Sequence, residues 1–159
     1  MIPVAAIAER LRTDPEIAAI LQADSAIAAS TSKGVYETDI RRAGRTVYPE
    51  AWDLEFGDLK TLLMVDDAGG GQANDGTSGA FREWCYVWIF TPDTMTGRAD
   101  MRTLEARTIA RLHRWSDVTT GVQLSIGDRV GPVGLSDSSN ARVERIRFQA
   151  AGIYAGVEL

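Results

Sequence analysis

The chain has 159 residues, 45% of them hydrophobic, 25% charged and 8% aromatic, with a formal charge of −5; this composition suits one globular domain that can bury a core without a disulfide or metal. Its single histidine (His113) and single cysteine (Cys85) are too few for a Cys/His zinc site and exclude an internal disulfide, while the negative balance opposes non-specific nucleic-acid binding. No apolar run approaches the roughly 20 residues of a membrane span and the N-terminus lacks a signal-peptide pattern, so a reducing cytoplasm, no membrane and no cofactor are expected.

Val4, Ile7, Ala8 and Leu11 recur at helical spacing and predict an amphipathic helix over residues 3 to 12. Thr13-Asp14-Pro15-Glu16 breaks it. Pro15 belongs in a first helical turn, with Asp14 or Thr13 as the cap, so a second helix is expected from 15 to 22, burying Ile17, Ile20 and Leu21. Val35-Tyr36 and Thr46-Val47-Tyr48 read as short extended pieces, and residues 60–66 as a strand. Asp67 to Ala80, with five glycines, reads as a long flexible loop, of a kind that is uncommon unless functional.

Phe81 to Thr91 carries the clearest strand pattern. Alternation places Trp84, Tyr86, Trp88 and Phe90 on one face and Cys85, Val87 and Ile89 on the other. A strand apolar on both faces has to be covered on both. One cover is a helix expected from about Arg98 to Trp115, with Met101, Leu104, Thr108, Leu112 and Trp115 on one arc and Arg107, Arg111 and Arg114 on another. The second cover is expected from a neighbouring subunit. Val122–Ile126 and Val130–Leu135 read as two strands about a Gly127-Asp128 turn, the second irregular or at an edge because of Pro132. After a turn at Asp137–Asn140, Ala141 to Gln149 forms a last strand, with Ile146, Phe148 and Ala150 on one face and Val143, Arg145, Arg147 and Gln149 on the other. The whole predicts one α+β domain with a mainly antiparallel sheet, flanked by an N-terminal helical pair and one longer helix.

Catalytic candidates are few. Asp66-Asp67 at a strand end has the chemistry of a Mg²⁺ site but no third ligand at a recognisable spacing. His113 reads as a cation near a helix C-terminus, and Cys85 as a buried, inert thiol. Gly69-Gly70-Gly71 lacks the Gly-Lys-Ser/Thr of a phosphate loop. Trp84, Trp88 and Trp115 could line an aromatic ligand pocket. Interface candidates are more numerous, since 15 of the 17 basic residues are arginine and arginine with aromatics dominates protein contacts. The Arg107/Arg111/Arg114 stripe is the first of them, although a solvated helix face would look the same.

Leu11-Arg12-Thr13-Asp14-Pro15-Glu16-Ile17, followed by Gly34-Val35-Tyr36, resembles the N-terminus of tail terminator proteins of long-tailed, non-contractile bacteriophages and related gene-transfer particles. The aromatic strand 81–91, then Thr96-Gly97-Arg98 opening a helix and a β-rich C-terminus, is similar to that family's strand–helix–strand core. The loop 67–80 and the segment 37–58 depart from it. The resemblance implies a non-enzymatic virion protein: a homo-oligomeric ring, typically a hexamer, that caps the head-proximal end of the tail tube, stops its polymerisation and presents a surface to head-completion proteins. DNA would only pass through its lumen. On that reading Asp67, Gly70, Asn74 and Asp75 of the loop are expected to meet the tube, and Arg107, Arg111 and Arg114 to meet sister subunits. The alternatives are another neck component such as a stopper, or a small metal-dependent hydrolase using Asp66 and Asp67.

Overall fold

The computed structural model describes residues 2–22, 34–38, 61–72, 80–134 and 141–153. Two short helices, α1 (Val4–Arg12) and α2 (Pro15–Gln22), precede strand β1 (Val35–Thr38). The hairpin strands β2 (Leu62–Gln72) and β3 (Ala80–Pro92), helix α3 (Met95–Leu112), and strands β4 (Gln123–Gly134) and β5 (Ala141–Ile153) follow. The sheet order is β1-β2-β3-β5-β4. Only the β1–β2 pair is parallel; the other three pairs are antiparallel, so the expected α+β class is observed.

β3 is central, and its two faces separate as alternation requires. Cys85, Val87 and Ile89 are fully buried, together with Leu63 and Val65 of β2 and Ile146, Phe148 and Ala150 of β5. The three helices among the described residues all pack on this face. α1 brings Ile7, Ala8 and Leu11, α2 brings Ile17 and Leu21, and α3 brings Met101, Leu104 and Leu112. Each large aliphatic or aromatic side chain buried there contributes about 1.5–3 kcal/mol. Cys85 sits in the centre of this core, where burial first, and then the charges of Asp66 and Asp67, push its thiol well above its ordinary value. It is buried, as expected.

Four sequence expectations are corrected. Asp67–Gln72 is strand rather than loop: apart from one irregularity between Asp67 and Gly69, it pairs residue by residue with Phe81–Cys85. Glycines are poor strand formers on their own, but here their backbone groups complete the ladder of a strong partner strand. The long helix spans 95–112 rather than 98–115. It starts early because the Thr94 hydroxyl accepts from the Gly97 amide at 3.0 Å, and it ends at Leu112 because His113 is extended and Arg114 adopts a φ of 64°. The Gly127-Asp128 turn is absorbed into one long edge strand, β4, which tolerates it through register shifts at Ile126/Arg129 and Val130/Val133. Ile20 packs at the rim of the core rather than inside it. Thr46–Tyr48, the 137–140 turn and most of 37–58 lie outside the described residues.

Asp14 ties the helices together. Its carboxylate is fully buried, and its Oδ1 caps α2 by accepting from the amides of Glu16 and Ile17, both at 3.0 Å. The same group accepts from Arg107 of α3, at 3.1 Å from Nε and 2.6 Å from a terminal nitrogen. Burial raises its pKa, but the Arg107 hydrogen bond, the Ile17 amide, the Arg107 charge and the Glu16 amide together outweigh that and hold it below its ordinary value. Glu144 is the opposite case. It lies on the helix-facing side of β5, 1% exposed, and neither carboxylate oxygen has a hydrogen-bond partner among the described residues. Burial raises its pKa, and the charge of Arg129 only partly offsets the rise.

Gly97 has no room for a side chain, because a Cβ would lie 1.9 Å from the Pro92 carbonyl oxygen. Gly97→Ala is therefore expected to lower the melting temperature although alanine is the better helix former; an unchanged or raised value in calorimetry would contradict the packing. Asp14→Ala should cost about 2 kcal/mol, the sum of a lost cap and a lost charged hydrogen bond. Because the folded pKa of Asp14 is depressed, its contribution is complete above the ordinary carboxylate value and fades as pH falls below about 4. Melting curves of wild type and Asp14→Asn should accordingly converge at acid pH. Glu144→Gln should stabilise at neutral pH, since the raised carboxyl favours the folded state only while protonated, and the gain should vanish on acidification.

Candidate interaction surface

The other face of the sheet carries no helix among the described residues. β3 contributes Trp84, Tyr86, Trp88 and Phe90 to it, and the antiparallel register sets Arg145 opposite Trp88, Arg147 opposite Tyr86 and Gln149 opposite Trp84. Each arginine leans diagonally onto a neighbouring ring, as long side chains on adjacent strands can. The Arg145 guanidinium lies 4.5 Å from the centre of the Tyr86 ring and 5.9 Å from that of Trp88. Arg147 lies 4.1 Å from that of Trp84. Among the rings, Tyr86 meets Trp88 edge-on at 6.2 Å, and Trp88 lies nearly parallel to Phe90 at 6.4 Å. Stacking of this kind uses the ring quadrupole, and each contact contributes about 0.5–1 kcal/mol at exposed sites.

The face is graded. At one end Leu62, Met64, Phe90 and Val143 form a small buried cluster, with Tyr36 and Trp88 packed against it. Toward the other end Trp84, Tyr86, Trp88, Arg145 and Arg147 are half-buried. Asp128 of β4 pairs with Arg147 at 3.0 Å. Gly127 lets this corner close, because a Cβ there would press on the Arg147 carbonyl oxygen at 3.1 Å and approach Trp84 at 3.4 Å.

The residues singled out from the sequence are dispersed. Arg107 is committed to Asp14, and Arg111 lies 3.7 Å from the same carboxylate while its carbonyl accepts from Arg10 at 2.6 Å. Arg114 lies beyond the helix end. The three therefore form no continuous stripe: the periodicity was real, but a buried aspartate one helix away already occupies its centre. Asp67 and Gly70 stand in β2, with Gly70 opposite Glu83, and Asn74 and Asp75 lie outside the described residues.

Asp66 and Asp67 do not form the two-carboxylate site considered from the sequence. Asp66 and Asp67 are consecutive strand residues, so their side chains leave opposite faces of the sheet and do not converge on one ion. Among the described residues no group of three His, Cys, Asp or Glu side chains could hold a metal. A shared aromatic pocket is excluded by the same geometry, since Trp115 packs on the helical side and Trp88 on the other. His113 is exposed, and its Nδ1 accepts from the Ile126 amide at 3.0 Å, a structural contact between the end of α3 and β4. Arg145 and Arg147 were legible on one face of the last strand. What the sequence alone withheld was the strand order that places that face beside the aromatics.

No known family matches the sequence, and no curated protein does. Among solved structures, a chain of one described as "Virion of native gene transfer agent (GTA) particle" shares the fold, with a TM-score of 0.54 and 15% identity over 95% of this chain and 98% of that one. The likeness is one of fold, and it runs the length of both chains.

Proposed function

We propose that this chain is a structural protein of a phage-like virion, and within it a tail terminator. It would form a homo-oligomeric ring at the head-proximal end of the tail tube, end tube polymerisation and offer a surface to head-completion proteins. The observation that carries this reading is the end-to-end likeness of fold to a chain of a gene transfer agent virion, joined to the Asp-Pro helix break and Gly-Val-Tyr step of the N-terminus. The architecture is consistent with it. Among the described residues, a central strand apolar on both faces has helices on one side only.

Assembly is thus the work asked of the sheet's open face and of the β2–β3 connection. Contact with the tube stays assigned to that connection, where Asn74 and Asp75 lie and toward which Asp67 and Gly70 lead. A formal charge of −5 suits a lumen through which DNA passes without being held.

Negative-stain images of the purified protein should show rings with a central hole, and a population that stays single and compact at every concentration and salt would contradict the proposal. A neck stopper would also assemble, so joining is the second readout. Added to unterminated tails, the protein should hold their length constant, and continued growth would remove the terminator role while leaving a virion protein.

A further inference from the structure

Arg145 is held in an arrangement that its own chain does not complete. Its guanidinium carbon lies over the Tyr86 ring and near Trp88, it has no carboxylate partner among the described residues, and its Nε is buried without an acceptor. Stacking uses the flat face of a guanidinium. Its N–H fork lies in the plane and is matched by a carboxylate, which it binds through two parallel hydrogen bonds. A half-buried arginine beside tryptophan and tyrosine also has the composition of the anchor residues that dominate protein contacts.

The charge balance indicates what docks. The chain carries 22 acidic residues against 17 basic ones, yet this face presents Arg82, Arg145 and Arg147 against Asp66 and Asp128, with Asp66 fully buried. Among the described residues, most of the exposed acids therefore lie off this face. Glu9 and Glu16, for instance, have side chains 66% and 61% exposed on the helical side, away from this face, and pair only at the long distances of 3.6 Å to Arg12 and 3.5 Å to Arg107. A second copy of the chain thus offers the carboxylates that this face lacks. A two-fold contact of the face with itself would set Arg82, Arg145 and Arg147 of both copies together, with Asp128 as the exposed carboxylate to offset them. The charge balance therefore favours a contact between unlike surfaces, and repeated contacts of that kind close into rings or run on as filaments. Single-stranded nucleic acid fits less well, because guanidinium groups already cover Trp84 and Tyr86, on which bases would stack.

We propose that the sheet face centred on Tyr86, Trp88 and Arg145 docks a second copy of this chain in a heterologous contact, with a carboxylate of that copy paired to Arg145. This rests on the ring reading for its occupant and adds to it the surface, the anchoring residue and the polarity of the contact.

The test is light scattering across protein concentration and salt on wild type, Arg145→Lys, Arg145→Gln and Arg145→Glu, with melting curves to establish that each variant folds. Wild type should associate beyond a dimer, and more weakly in high salt. Arg145→Glu should shift association to concentrations at least about tenfold higher with little change in melting temperature, and Arg145→Lys, which keeps the charge but loses the fork, should fall between. If Arg145→Glu unfolds, Arg145→Gln provides the same reading. Association of Arg145→Glu and Arg145→Gln at the wild-type concentration would overturn the surface assignment and leave the ring intact. Monomeric wild type under all conditions would overturn both, and a mass saturating at two copies would overturn the heterologous contact. Retention of oligo(dT) by wild type, lost in Arg145→Glu without effect on association, would assign the face to nucleic acid instead.

Discussion

A central strand apolar on both faces is the constraint from which the rest of this structure follows. On one side of β3, Cys85, Val87 and Ile89 demand a dry environment, and three helices supply it. On the other, Trp84, Tyr86 and Trp88 stand beside each other with no helix over them among the described residues, and the neighbouring strand meets them with arginines. Aromatic rings tolerate this half-wet position because they offer a large apolar area together with a quadrupole that attracts a cation. Aliphatic side chains at the same places would have been an aggregation surface.

The helical layer owes its position to more than apolar contact. α1 and α2 are each too short to be stable alone, and Asp14 fixes the start of α2 while pairing across to Arg107 of α3. A buried carboxylate with two amides and an arginine has its negative charge distributed over several donors, which is why it remains ionised in a core-facing position. Arg10 supplements the tie by donating to the Arg111 carbonyl and lying over Trp115 at 5.1 Å. The arginines of the helical side thus hold the fold together, and those of the sheet side lie over aromatic rings.

Much of this was legible in the sequence. The helix pair was announced by Asp14-Pro15, the two faces of β3 by strict alternation, and the inward and outward sets of β5 by a less clean one. The glycine-rich half of β2 was not legible, because strand pairing there depends on backbone groups and on the strength of the partner strand, neither of which leaves a pattern in side-chain type. The intramolecular partner of the arginine stripe was not legible for a related reason. Helical spacing locates a face but not what lies across from it, and Asp14 is 93 residues from Arg107 in sequence. The candidate surface itself needed the strand order, which sets β5 rather than β4 beside β3.

The central claim is that the arginine-stacked aromatic face is covered when the protein assembles. Hydroxyl-radical footprinting, read by mass spectrometry at dilute and assembling concentrations, addresses it directly. Trp84, Tyr86 and Trp88 should lose labelling as association proceeds, while Val118, at 98% exposure on a turn beyond the helical end, should keep its labelling. Constant labelling of the three aromatics in a sample that has assembled would contradict the claim.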